Sequence, residues 1–331
     1  MTHLVDGLPL AEWPAWLRAF AAVWLFVVGS CFGSFLNVVA YRWPRRMSLS
    51  RPGSHCPHCS RRITPSDNVP IVAWLWLGGR CRKCGEAISP RYPLVELLAA
   101  VAFLLIGWGE LLTPRGGWLL AATHGHEGRA ALTLAGHLTL VVTMLAAALL
   151  VLERANWRGT LFLPAAIVAG AVVAAGLPLA PKLTSALAAR QPGAVVLTAA
   201  QGLAIGMTLA VVWRFTERRL TLPASARYTV ACWLLIGVFL GPLATAIVAL
   251  VSSVGELATA VARRAGLAID RLSTSGWLLA AVVVSLGGWT YLCDTPYMAL
   301  ERPGRWIAAG MAVAGIAMAA TGYLARAAQA R

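Results

Sequence analysis

The stretch SHCPHCSRRITPSDNVPIVAWLWLGGRCRKCG, residues 54–85, holds four of the chain's seven cysteines as two Cys-x-x-Cys pairs, Cys56/Cys59 and Cys81/Cys84. Each pair sets two soft sulfur donors on one tight turn, and two such pairs have the spacing of a tetrahedral structural zinc site. The stretch is strongly basic and lies between two long apolar runs, 17–40 and 93–112. This reads as a small metal module carried by a membrane protein. Four thiolates close the coordination shell, so the reading is structural zinc and not catalytic zinc. A zinc-free redox role accounts less well for two matched pairs. A module this short has little core, so metal binding would supply much of its folding energy.

Outward from this stretch, the chain of 331 residues is 59% hydrophobic and 12% charged, with a mean hydropathy of +0.70. A soluble domain has about 25% charged residues. This much apolar surface requires a bilayer. Apolar runs near 17–40, 93–112, 131–152, 161–180, 195–213, 228–251, 275–293 and 304–325 each approach the length of a membrane helix. The run at 228–251 is long enough to be tilted or broken. The fold class expected is an all-α polytopic membrane protein of about eight transmembrane helices with a small cytosolic zinc-binding insertion. The first run reads as a retained helix, being too long for a cleaved signal and lacking a small-residue cleavage site after it.

The formal charge of +15 is read as topology. Loop 41–92 carries Arg42, Arg45, Arg46, Arg51, Arg61, Arg62, Arg80, Arg82, Lys83 and Arg91 against Asp67 and Glu86. That excess places it in the cytosol by the positive-inside rule. No basic stretch has the aromatic interleaving of a nucleic-acid binder, so no nucleic-acid partner is expected. Arg214, Arg218, Arg219 and Arg227 agree with the orientation. Arg263, Arg264 and Arg271 do not, so 252–274 reads as an interfacial amphipathic piece or the span count is off by one. Cys31, Cys232 and Cys293 act as small hydrophobes. Gly29 and Gly33 form a Gly-x-x-x-Gly pair that lets a second helix approach. His137 and Gln201 read as interhelical hydrogen-bonding groups. Glu96 reads as a partner for Arg91 or for N–H groups at the start of its helix.

Residues 29–46, GSCFGSFLNVVAYRWPRR, lead into 54–100, ending RYPLVELLAA. Together they closely resemble the N-terminal part of bacterial type IV prepilin peptidases. The resemblance is carried by Gly33 to Asn37, Tyr41-Arg42, Ser54 to Cys59, Asp67 to Pro70, Gly79 to Gly85, Ile88-Ser89 and Arg91 to Glu96. It implies a bifunctional enzyme of the bacterial cytoplasmic (inner) membrane acting on type IV pilin-like or type II secretion pseudopilin precursors. One activity removes a short basic leader; the other methylates the new amino terminus from S-adenosylmethionine. The parts would be 1–40 (periplasmic N-terminus and first helix), 41–92 (cytosolic zinc module) and 93–331 (a bundle resembling a degraded peptidase domain).

Leader cleavage in this family is aspartyl proteolysis, in which one carboxyl is protonated and its neighbour ionised. The chain has four aspartates, Asp6, Asp67, Asp270 and Asp294, and none follows Gly-x-Gly. Aligned by hand, LLVLERANWRGTLFLP (149–164) puts the first family aspartate on Val151 and a second family acid on Glu153. ASARYTVACWLLIGVFLG (224–241) puts the Gly-x-Gly-Asp aspartate on Thr229, with the family lysine near Ala231. Glu153 and Asp294 remain outside candidates for acids; Glu217 sits among arginines and pairs with them. Three readings follow. The first is a family member whose peptidase half is inactive and which keeps a binding, scaffolding or methyl-transfer role. The second is an active aspartic endopeptidase using displaced acids. The third is a membrane-anchored zinc module that docks a partner without enzymology. No Gly-rich nucleotide loop follows a strand, so S-adenosylmethionine rests on the resemblance alone. The basic loop and Asn37, Asp67, Asn68 and Glu96 are candidate substrate contacts, with Asp67-Asn68 also reading as turn chemistry. The basic loop would repel a basic leader, which points to anionic lipid headgroups as its neighbours.

Overall fold

The computed structural model describes residues 13–112, 127–156, 159–174, 193–217, 224–265 and 274–293. Among them the chain is helical, and the only strand-like pairing is two isolated bridges in the cysteine module. It forms two compact units, one of Ala15–Leu104 and one of the chain from Leu105 onward.

In the first unit, helix α1 (Ala15–Arg42) and helix α3 (Arg91–Gly107) flank the module, which contains the five-residue helix α2 (Val72–Trp76). Small residues let α1 and α3 touch backbone to backbone. A Cβ on Gly33 would lie 2.6 Å from the Glu96 Cα, and one on Gly29 2.8 Å from the Ala100 Cα. The Gly-x-x-x-Gly pair is thus a packing seam, with Phe32 and Phe103 stacked beside it at 5.5 Å. On the other sides Phe20, Trp24, Leu97 and Val101 are exposed, as helix faces meeting lipid should be.

In the second unit α3 runs into one wider turn, Trp108–Leu112. Then come α4 (Glu127–Leu152), α5 (Leu163–Ala174), α6 (Gly193–Glu217), α7 (Ala224–Arg264) and α8 (Thr274–Cys293). Helices α6 and α7 meet through Gly202 and Gly237, where a Cβ on either would collide with the other's carbonyl. Helix α7 is broken at Gly241 (φ 68°, ψ −177°), followed by Pro242. Only glycine takes that conformation readily, and proline withholds the N–H that a continuous helix needs. The Thr245 hydroxyl donates to the Gly241 carbonyl at 2.6 Å. The sixth run, expected to be tilted or broken, is broken. Residues 252–264, expected as a possible separate interfacial piece, continue α7, because their small and apolar residues carry the helix on without a breaker.

Four described helices are long and apolar enough to cross a membrane: Ala15–Arg42, Arg91–Leu112, Ala130–Leu152 and Ala226–Ala262. Thr160–Ala169, Ala199–Val211 and Gly276–Gly288 are shorter apolar helices. This is a multi-pass membrane architecture. The count of about eight spans is not reached among the described residues, and the expected run 304–325 lies outside them.

Candidate metal centre and the region of the expected acids

The two cysteine pairs sit on matching turns. In the first, the Ser60 N–H donates to the Cys56 carbonyl (2.9 Å) and the Cys56 N–H to the Arg61 carbonyl (3.0 Å). In the second, Gly85 donates to Cys81 (2.9 Å) and Cys81 to Glu86 (2.8 Å). Each turn closes on a left-handed residue, Ser60 (φ 54°) and Gly85 (φ 69°). The bridges His55–Arg62 and Arg80–Ala87 pin the turn stems. The four sulfurs lie within 4.8 Å of one another, and Cys56 Sγ to Cys84 Sγ is 3.8 Å. A tetrahedron of about 2.3 Å zinc–sulfur bonds has edges of about 3.8 Å, so the donor set fits zinc. N–H groups of Cys84 and Lys83 pull the Cys81 thiol down to about 6. The Glu86 N–H also draws on Cys84, but desolvation and the neighbouring sulfurs outweigh it and push that thiol up to about 12. Four sulfurs packed this closely cannot all ionise without a cation among them.

Other contacts tie the turns together. Arg82 grips Asp67 with two nitrogens, the shortest bond 2.7 Å, which holds the Asp67 carboxyl below its ordinary value. The Trp74 indole N–H donates to the Ile88 carbonyl at 3.0 Å. Glu96, buried near the start of α3, accepts the Ile71 N–H at 2.7 Å. The sequence reading pointed Glu96 to Arg91 or to its own helix start; its carboxylate instead holds the residue that opens α2. Ile71 has φ 62° and ψ −55°, and the Val72 N–H donates to the Pro70 carbonyl at 2.6 Å. This is a γ-turn of the strained, positive-φ kind, centred on a β-branched residue. Asn37 donates to the Tyr92 carbonyl at 3.2 Å. Asn37, Asp67 and Glu96, expected as substrate contacts, therefore each have an internal partner. Asn68 lines an open cleft with Arg62 and Thr64.

The positions matched to the family acids lie at two chain ends that the fold ties together. Val151, half-buried, lies in the last turn of α4 and Glu153 directly follows that helix; Thr229 is buried near the start of α7. The Tyr228 hydroxyl, next to Thr229, donates to the Asn156 carbonyl at 3.1 Å, and its ring packs on Phe162 at 6.1 Å. Asp294 lies outside the described residues. Gln201, expected in an interhelical bond, is exposed, because α6 turns that position away from α7.

His137 does bond between helices, and its partner is one the sequence reading missed. Its Nδ1 shares a hydrogen bond of 2.8 Å with Oε1 of Glu110, both side chains fully buried. Glu110 lies on the wider turn after α3, and its Oε2 has no hydrogen-bond partner among the described residues. The available signal was a lone acid inside an apolar run, where an ionisable group is costly.

Residues 27–109 match the family model described as Bacterial Peptidase A24 N-terminal domain. A "Type 4 prepilin-like proteins leader peptide-processing enzyme" of Escherichia coli O78:H11 (strain H10407 / ETEC) is 44% identical over 128 residues, 33% of this chain and 45% of the relative. A "Prepilin leader peptidase/N-methyltransferase" of Myxococcus xanthus (strain DK1622) is 47% identical over 105 residues, 30% of this chain and 31% of the relative. Another of that name, from Aeromonas salmonicida (strain A449), is 39% identical over 153 residues, 37% of this chain and 50% of the relative. The chain thus spans half or less of the length of these relatives. No solved structure matches it.

Proposed function

We propose that this chain, whose residues 27–109 match the Bacterial Peptidase A24 N-terminal domain family model, is an inner-membrane protein that engages type IV pilin-like or type II secretion pseudopilin precursors without cleaving their leaders by aspartyl proteolysis. The observation that carries this reading is the missing acid pair. Gly-x-Gly-Asp occurs nowhere in the chain, and the aligned positions hold Val151 and Thr229. Valine can neither take nor give a proton, and a threonine hydroxyl is far too weak an acid to stand in for a carboxyl. Glu153 in the same region is one carboxylate where the chemistry needs two. The bond from Tyr228 to Asn156 supports the view that the two segments still meet as a framework from which the reacting groups are gone.

Methyl transfer from S-adenosylmethionine to the amine of a cleaved precursor is the activity that this loss leaves open, and relatives carry N-methyltransferase in their names. Cys56, Cys59, Cys81 and Cys84 would hold zinc, which supplies a closed cross-link between the two turns and no open position for chemistry. In this reading the functional parts are 1–40, 41–92 and 93–331, with the basic module in the cytosol against anionic headgroups.

The test is mass spectrometry of a prepilin amino terminus after incubation with the purified protein in liposomes containing S-adenosylmethionine, beside an active relative. Methylation of a pre-cleaved pilin without leader removal is the expected result. Leader removal would overturn the reading and make Glu153 and Asp294 the first residues to mutate. Neither product would favour a docking module without enzymology.

A further inference from the structure

We propose that α2 is a membrane-surface anchor: Val72, Leu75 and Trp76 insert into the interfacial layer of the bilayer, with the module's basic rim on anionic headgroups. The inference deepens the lipid reading of the module and does not depend on any reading of substrate or catalysis.

The first observation is an exposed apolar face. Val72 is 57% exposed, Leu75 65% and Trp76 80%. Their spacing of three and four residues puts them on one side of a helical turn. The other side of α2 is used: Ala73 is buried, and Trp74 lies against Gly79 while its indole N–H binds the Ile88 carbonyl. The module folds around Trp74 and leaves Trp76 outside. A tryptophan and a leucine side by side in water forgo much of the free energy that burial would provide. Tryptophan on a short amphipathic piece is what the membrane–water interface favours.

The second observation is depth. Ile71, the residue that opens α2, is held by Glu96 at 2.7 Å. Glu96 is the sixth residue of the helix that starts at Arg91, about 7.5 Å along its axis at 1.5 Å per residue. That helix belongs to Arg91–Leu112, a segment long and apolar enough to cross a membrane. The start of α2 therefore lies within one side chain's reach of the second turn of that helix. Interfacial helices rest about 5–10 Å into the headgroup and acyl boundary, so the two depths agree. The strained turn at Ile71 and the buried carboxylate fix α2 there.

The third observation is charge. Arg45, Arg46, Arg51, Arg61, Arg62, Arg80, Arg82 and Lys83 are exposed on the module. Of its two acids, Asp67 is already engaged by Arg82. Anionic lipid complements this rim; an apolar precursor helix would satisfy α2 but not the arginines.

The test places the photoreactive residue benzoylphenylalanine at position 76 of the full chain. The protein is reconstituted in vesicles of phosphatidylethanolamine and phosphatidylglycerol, irradiated, and its adducts read by mass spectrometry. Position 24, exposed on α1 within the membrane span, is the positive control, and zinc content reports that the module is folded. Lipid adducts at position 76 comparable to those at position 24 are expected, falling about tenfold when Leu75→Asp is added. Lipid adducts at 24 but none at 76 would overturn the proposal. So would a position-76 adduct to a second copy in place of lipid. With phosphatidylcholine replacing the anionic lipid, a reduced yield supports the role of the basic rim. An unchanged yield removes that half and leaves the insertion standing.

Discussion

Removing the Glu96 carboxylate should loosen the zinc module without touching a cysteine. Glu96 is buried, and one oxygen accepts the N–H of Ile71. A hydrogen bond to a charged group contributes about 1.5–3 kcal/mol. The residue it holds has φ 62°, a conformation that costs on the order of 1–3 kcal/mol for a side chain with a branched Cβ. In Glu96→Ala the bond is lost and the strain stays, so α2 should detach more easily by about 2 kcal/mol, or about thirtyfold in its opening equilibrium. Glu96→Gln keeps an oxygen acceptor without the charge and should lose about half as much. Ile71→Gly acts in the opposite direction, because glycine takes positive φ without a Cβ clash, and should open no faster than wild type. The assay is limited trypsin cleavage at Arg61, Arg62 and Arg80, all exposed, in detergent with zinc bound; the rate follows the population of the opened module when reclosing is fast. Wild-type cleavage in Glu96→Ala would refute the reasoning. So would Ile71→Gly opening as fast as Glu96→Ala, which would mean that the turn stores no strain.

Three further outcomes are expected. Cys81→Ser should reduce zinc from about one ion per chain to near none and expose the module to protease while the membrane helices stay inserted; full zinc content with intact protease resistance would contradict it. Gly33→Val should lower thermal stability in detergent by about 1–3 kcal/mol, because a Cβ there lies 2.6 Å from the Glu96 Cα; Gly288→Ala, where a Cβ meets nothing within 4 Å, should be neutral or slightly stabilising. A double-mutant cycle of Glu110→Gln and His137→Leu should show coupling of about 1–2 kcal/mol, and strictly additive losses would mean that the buried pair makes no net contribution.

The cysteine cluster and the membrane character were legible in the sequence because both are local properties. A Cys-x-x-Cys turn presents its two sulfurs by backbone geometry within six residues, as the matched turns at Cys56 and Cys81 do. A membrane helix satisfies its own backbone and is recognised by its apolar length, as in α1 and α3. The break at Gly241-Pro242 was one of the two readings, tilted or broken, that the length of the run 228–251 left open. The absence of Gly-x-Gly-Asp was likewise a plain fact of the chain.

Pairings between distant residues were decided only by the tertiary structure. Glu96 read as a group for its own helix start, yet its carboxylate holds Ile71, 25 residues earlier. Glu110 drew no notice beside His137, 27 residues later, until packing placed both where water could not solvate either. Gln201 has the same polar signature and is exposed, since sequence periodicity leaves the rotation of α6 against α7 undetermined. Local rules set which turns and spans form. The glycine seams and the cost of burying an unpaired polar group select which of those elements face each other, and that choice depends on the whole packed assembly and on no segment alone.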